Sequence, residues 1–153
     1  VENKLVQTPY DKLTYQIIGC AMATHRELGP GYRENTYQRD LALRFASAGL
    51  LVHPQKRLEV YDSEHGESLI GYYIPDFVIA DLVIVEIKAL FSTDNRHLAQ
   101  VIGYLAVTKC PIGLLLNFGA RSLQYHRILP PKSIVEHHVN RQWLFVPDRL
   151  KNK

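Results

Sequence analysis

Apolar residues recur every three or four positions through the first third of the chain, then alternate or run together through its middle. That change of period predicts helices followed by strands. Leu13, Ile17, Ile18, Ala21 and Leu28 share one helical face, with Asp11 ahead of them as the expected cap. Gly29-Pro30-Gly31 stops this helix, because two glycines around a proline do not continue it comfortably. A second helix is predicted over 33–48, with Tyr37, Leu41 and Phe45 on one face and Gly49 closing it. Leu58 to Tyr61 reads as a strand and Asp62 to Ser68 as a polar turn. Leu69 to Ile79 and Leu82 to Lys88 then form a hairpin through Ala80-Asp81, with Pro75 marking irregular pairing.

Beyond the polar loop Ser92-Thr93-Asp94-Asn95, a third helix is expected over 96–107. Ile112 to Asn117 is nearly pure aliphatic, as a central strand buried on both faces requires. Leu123 to Ile128 follows as a last strand. The predicted order is α-α-β-β-β-α-β-β, an α/β domain with a mixed central sheet flanked by helices. It is expected to occupy residues 1–129. A basic extension over 130–153 follows Pro130-Pro131, partly docked or disordered, with Trp143 to Val146 as a short docked strand.

With 153 residues and 46% hydrophobic composition, the chain has the size and make-up of one domain with its own core. No apolar run approaches the ~18 residues of a membrane span, and no secretory signal is read, so a cytoplasmic setting without a membrane partner is expected. Cys20 and Cys110 lie far apart in apolar contexts and read as buried thiols of a reducing compartment. The charge of +3 changes the picture only once located. Residues 1–129 carry 13 basic and 13 acidic side chains, so the whole excess lies in 130–153. A neutral core gives no electrostatic sign of nucleic acid, although carboxylates gathered at a metal would hide basic groups elsewhere.

The chemistry concentrates in Pro75-Asp76 and Val85-Glu86-Ile87-Lys88. Side chains on a strand alternate between faces, so Glu86 and Lys88 share one face while Val85 and Ile87 take the other. A hard divalent cation needs oxygen ligands, commonly two or three carboxylates with water completing the shell. Asp76 and Glu86 supply two, provided that their oxygens approach within roughly 5 Å, since each must reach a cation at about 2.1 Å. The lysine two positions after Glu86 then stands beside the metal water and a scissile phosphate. Taken alone, an E-x-K on a strand is as well explained by a surface salt bridge.

Asp76, Glu86 and Lys88 on a hairpin before a helix carrying Gln100 and Tyr104 resemble the PD-(D/E)XK nuclease superfamily. Gly31-Tyr32-Arg33-Glu34-Asn35-Thr36-Tyr37, with His25 to Pro30 before it and Leu114 to Gly119 later, is similar to the GxxExxY family of small bacterial proteins. The resemblance covers about residues 13–129 and implies a restriction-endonuclease-like fold. It further implies hydrolysis of nucleic-acid phosphodiester bonds with Mg2+ or Mn2+, DNA being preferred to RNA as substrate. Glu34, Asp76, Glu86 and the carbonyl of Ile87 are then metal ligands. Lys88 acts on the attacking water, and Gln100 positions water or phosphate.

Bland readings stand beside these. Glu34 is also favoured at a helix N-terminus by the dipole, and Tyr37 also suits a half-buried core position. Gln100 and Tyr104 share a helix face, and a buried glutamine there needs a partner, whether phosphate, water or a carbonyl. Tyr37, Arg57, His97, Tyr104 and Arg121 are further candidates for nucleic-acid contact. The rival function is a non-catalytic module that binds nucleic acid or protein on the same fold. A homo-oligomer or a protein partner remains open.

Overall fold

The computed structural model describes residues 7–62 and 64–137, so the expected strand at Trp143 to Val146 lies outside the described residues. Helix α1 spans Asp11–Leu28 and α2 spans Glu34–Ser47. Strands β1 (Val52–Pro54), β2 (Leu58–Tyr61), β3 (Leu69–Tyr73), β4 (Phe77–Ile79) and β5 (Val83–Lys88) follow. Helix α3 (Asn95–Thr108), β6 (Ile112–Asn117), β7 (Gln124–Ile128) and the short α4 (Lys132–Val135) complete the order. Asp11 is not the cap of α1. Tyr10 occupies that position, and the Asp11 carboxylate accepts from the Thr8 N–H at 3.0 Å, the Thr8 hydroxyl at 2.8 Å and Arg127 of β7. It ties the chain entering α1 to the far edge of the sheet.

A five-stranded mixed sheet runs in the order β1-β4-β5-β6-β7. Only the β5–β6 pair is parallel, with α3 as its crossover; the other neighbours are antiparallel. All six residues of β6 are buried, as its aliphatic run requires. One face of the sheet carries α1 and α2, where Ile17, Ala21, Tyr37, Leu41 and Phe45 meet Val83, Val85, Ile87, Leu114 and Leu116. The other face carries α3, where Val101, Tyr104 and Leu105 meet Val78, Ile84 and Leu115. Gly113 makes the second contact close, since a Cβ there would stand 2.4 Å from Val101 Cγ1. This is the restriction-endonuclease-like mixed sheet flanked by helices. Among the described residues, no helix is long and apolar enough to cross a membrane.

Three features bear on the site, the first and third being departures from the sequence reading. First, Leu69 to Ile79 is not one strand. Pro75 interrupts it, and β3 pairs with β2 in a separate two-stranded sheet while β4 joins the main one. Second, the β4–β5 hairpin does turn through Ala80 and Asp81, but both take positive φ, 54° and 56°, and the Leu82 N–H closes the turn on the Ile79 carbonyl at 3.0 Å. Third, β1 is an additional edge strand, three residues long and ending in proline.

Candidate active site

β4 begins its pairing at Phe77 opposite Val85, so the last residues of β5 run on past the end of β4. In the gap stands Asp76, whose Oδ2 accepts the Ile87 N–H at 2.7 Å in place of a ladder carbonyl. Its own backbone is held by the Gln55 N–H, which donates to the Asp76 carbonyl at 2.9 Å. The Phe118 N–H bonds the Lys88 carbonyl from the β6 side. Because successive residues of a strand direct their backbone groups to alternate edges, the Ile87 carbonyl looks to the opposite edge, the one occupied by Asp76.

Glu86 and Lys88 lie on the α3 face, as the alternation predicts, with Lys88 Nζ 3.7 Å from Glu86 Oε1. Both side chains are largely buried. The Asp76 and Glu86 carboxyls are near enough for each to act on the other's proton affinity. Two carboxylates cannot comfortably share a dry site, and the pair retains a proton. Burial pushes Glu86 up to about 8, the Asp76 charge adds to this, and Lys88 opposes it. Asp76 is also raised by burial, with the Ile87 N–H, Glu86 and Lys88 all pulling it back.

Glu86 Oε2 is buried and has no hydrogen-bond partner among the described residues. A buried carboxylate oxygen left so is expensive. Proton or cation is what it lacks, and an O-ligated divalent ion fits the donor set of Asp76, Glu86 and the Ile87 carbonyl.

Glu34 opens α2, and its carboxyl feels the Ala89 N–H as well as the charges of Lys88 and Asp76. Partial burial raises its pKa; Lys88 lowers it, Asp76 raises it and His97 lowers it, so all three are neighbours in charge. Among the described residues, however, no three His, Cys, Asp or Glu side chains converge into a cation cage. The carboxylates that act most strongly on each other are Asp76 and Glu86, while Glu34 feels Asp76 and Lys88 more weakly.

Tyr37 is not a nucleic-acid contact. It is fully buried, stacks on Phe118 at 4.7 Å between centroids, donates its hydroxyl to the Gly29 carbonyl at 2.6 Å and accepts from the Tyr32 N–H at 3.2 Å. It clamps the turn between α1 and α2, where Gly31 has a φ of 112° that suits glycine alone. The tyrosine of the G-x-x-E-x-x-Y pattern is therefore a support for Glu34.

The two α3 residues differ in burial. Gln100 is exposed, so it needs no buried partner, and its Nε2 donates to the Tyr104 hydroxyl at 2.9 Å. Tyr104 is the buried member, and burial and the Glu86 charge beside it raise its pKa. His97 serves the helix start: its Nδ1 accepts the Asp94 N–H at 3.0 Å, half of a capping box. Arg57 is ion-paired to Glu59 at 3.3 Å, and Arg121 is exposed on the turn between β6 and β7.

Asn117 is the participant that pattern reading did not single out. Fully buried, it accepts from the Leu90 N–H at 2.9 Å and the Gly119 N–H at 3.2 Å, and donates to the Leu90 carbonyl at 2.8 Å and Gln124 Oε1 at 2.9 Å. It fixes the chain leaving Lys88. Gly119 permits the approach, since a Cβ there would stand 2.3 Å from the Leu90 nitrogen. The available signal was a lone asparagine ending an aliphatic strand and followed two residues later by glycine.

Residues 11–128 match the family model of the PD-(D/E)XK nuclease superfamily. The match begins at the first residue of α1 and ends at the last of β7. No curated protein matches the chain. A solved structure described as the crystal structure of SSO0001 is similar with a TM-score of 0.49 and 14% identity, over 82% of this chain and 64% of that one. The chain thus spans about two thirds of that protein's length.

Proposed function

This chain belongs to the PD-(D/E)XK nuclease superfamily, and from that premise we propose that it is a Mg2+- or Mn2+-dependent nuclease acting at the Asp76–Glu86–Lys88 cluster. One observation carries the reading: a buried carboxylate, Glu86, with one oxygen unpartnered among the described residues and the Asp76 charge acting on it. A structural salt bridge would not bury a second carboxylate beside the first. In this proposal Asp76, Glu86 and the Ile87 carbonyl hold the ion, and Glu34 reaches it through water. When bound, the ion supplies positive charge against the phosphodiester and acidifies water.

The remaining residues act by position. Lys88, anchored by Glu86, orients the attacking water and neutralises charge that develops on the phosphate. Tyr104 keeps the Glu86 carboxyl turned into the site, and Gln100 beside it offers an amide to water or phosphate at the surface. The G-x-x-E-x-x-Y segment further supports placing the chain in the GxxExxY branch, with DNA as the preferred substrate and the cytoplasm as its compartment. A second reading, a non-catalytic binding module, draws on the balance of 13 basic and 13 acidic residues over 1–129.

Turnover on single-stranded, duplex and branched DNA and on RNA, with and without Mn2+, separates the two. The enzyme reading expects metal-dependent cleavage. Lys88→Ala should lower it by about 10²–10³-fold or more while keeping the rise in Tm that Mn2+ produces by binding only the folded chain. Asp76→Asn should lose both. Metal-independent binding, untouched by Asp76→Asn and with no turnover on any substrate, would establish the binding module instead.

A further inference from the structure

The β2–β3 hairpin stands apart from the main sheet and leads directly into Asp76. Its inner face packs on α3: Leu58 is buried against Val107, and Tyr73 meets the Tyr104 ring edge-on at 6.2 Å. Among the described residues, three apolar side chains of its outer face stay exposed. There Ile70, Tyr72 and Ile74 follow one another at every second residue, 66%, 56% and 43% exposed. Arg57 lies over the Tyr72 ring, 4.2 Å from its centroid. The guanidinium is held by Glu59, itself almost fully buried and also bonded by the Tyr61 hydroxyl. An arginine and a tyrosine are thus fixed in a stack at the surface before any ligand arrives.

We propose that this outer face, centred on Tyr72 and Arg57, is a stacking platform for unpaired bases of a nucleic-acid strand running toward Asp76. The inference rests on the nuclease reading for the identity of the strand. Charge decides the form of the ligand. Duplexes present phosphate to a protein, and their binding is driven by basic side chains. This face offers an uncharged row and one arginine already neutralised by Glu59, and residues 1–129 have no net charge to lend. Bases freed from a duplex present π-faces instead, which stack on tyrosine and arginine without needing net charge. Exposed Glu64 and Glu67, with Asp62, make the hairpin's tip acidic and confine a strand to the end nearer the site. From Tyr72 to Asp76 the chain advances at most about 13 Å, the span of a few nucleotides. The platform therefore holds the segment next to the bond to be cut, and the substrate class is single-stranded nucleic acid or a junction with a single-stranded arm.

The experiment is equilibrium binding with Mn2+ in the Lys88→Ala background, so that no strand is cut. Its probes are a labelled single strand, the same strand with abasic sites, and the duplex. The natural strand should bind more tightly than the abasic one. Tyr72→Ala should weaken the natural strand by about tenfold and leave the other probes unchanged, whereas Tyr72→Phe should retain affinity. Tyr15→Ala, on exposed α1 surface, is the control. Equal affinity for natural and abasic strands, or no effect of Tyr72→Ala, overturns the platform. So does a wild-type dimer in sedimentation that Tyr72→Ala dissolves, since the face would then belong to a second copy. Wild-type cutting of duplexes with no role for Tyr72 would leave the nuclease standing without the platform. Tyr72-dependent binding with no cutting by the wild type would leave the platform without the nuclease.

Discussion

Tyr37 and Glu86 both bury polar atoms at the same sheet, one from the α2 side and one on the α3 side, and their surroundings differ in kind. The Tyr37 hydroxyl has both a carbonyl and an N–H to bond, and its ring lies on Phe118. Glu86 has an ammonium at 3.7 Å from one oxygen, no partner for the other among the described residues, and the charge of a second carboxyl acting on it. Each residue belongs to a motif of the same chain, yet of these two only Glu86 is under electrostatic stress. Spacing does not distinguish a scaffold residue from a chemical one; the satisfaction of its buried atoms does.

The sharpest way to break this contrast is pH. The Glu86 carboxyl is raised in the folded chain from an ordinary 4.5 to about 8. Its stabilising contribution is then complete below about pH 4.5 and disappears as pH rises through about 8, because the folded state holds a proton that the unfolded chain has released. Thermal denaturation without metal should show that fall, and Glu86→Gln should flatten it. The gain in Tm from Mn2+ should grow across the same window. A flat wild-type profile would mean that the carboxyl is not strained.

Asn117→Ala tests the satisfied side of the contrast close to the site. Four hydrogen bonds disappear from a fully buried residue, and the loss should be about 3 kcal/mol or more in urea unfolding, with turnover falling as the chain after Lys88 loosens. Tyr37→Phe should cost less, about 1–3 kcal/mol, through the unpaired Gly29 carbonyl. Its Mn2+-dependent Tm gain should match the wild type; a loss of that gain would bring Tyr37 into the metal site after all.

Local patterns carried most of the architecture. The helices, the β4–β5 hairpin and the buried β6 follow from period, turn residues and aliphatic runs, and the separation of Glu86 and Lys88 from Val85 and Ile87 follows from alternation. What pattern did not carry is pairing across distance. Residues 69–79 look continuous because β3 and β4 are both apolar, and only their different partners separate them at Pro75. β1 has three residues, too few for a period to register. Gln100 and Tyr104 share a face, yet which of them is buried depends on how α3 is tilted against β5, β6 and the second sheet. Asp94 reads as loop, but its carboxylate accepts the Arg96 N–H and His97 turns back onto its own N–H, which makes it the cap of α3.

The way the carboxylates are distributed along the chain has a kinetic consequence. Asp76 and Glu86 are ten residues apart on one hairpin, whereas Glu34 comes from a helix far upstream, and β6 pairs with β5 across the α3 crossover. Short loops close before long ones. Loop length alone predicts that the like charges meet early, in the β4–β5 hairpin, and that Glu34 and the parallel partner arrive afterwards. Their repulsion acts on the rate at which the domain folds, and a cation bridging the pair would shorten that climb as well as deepen the final well.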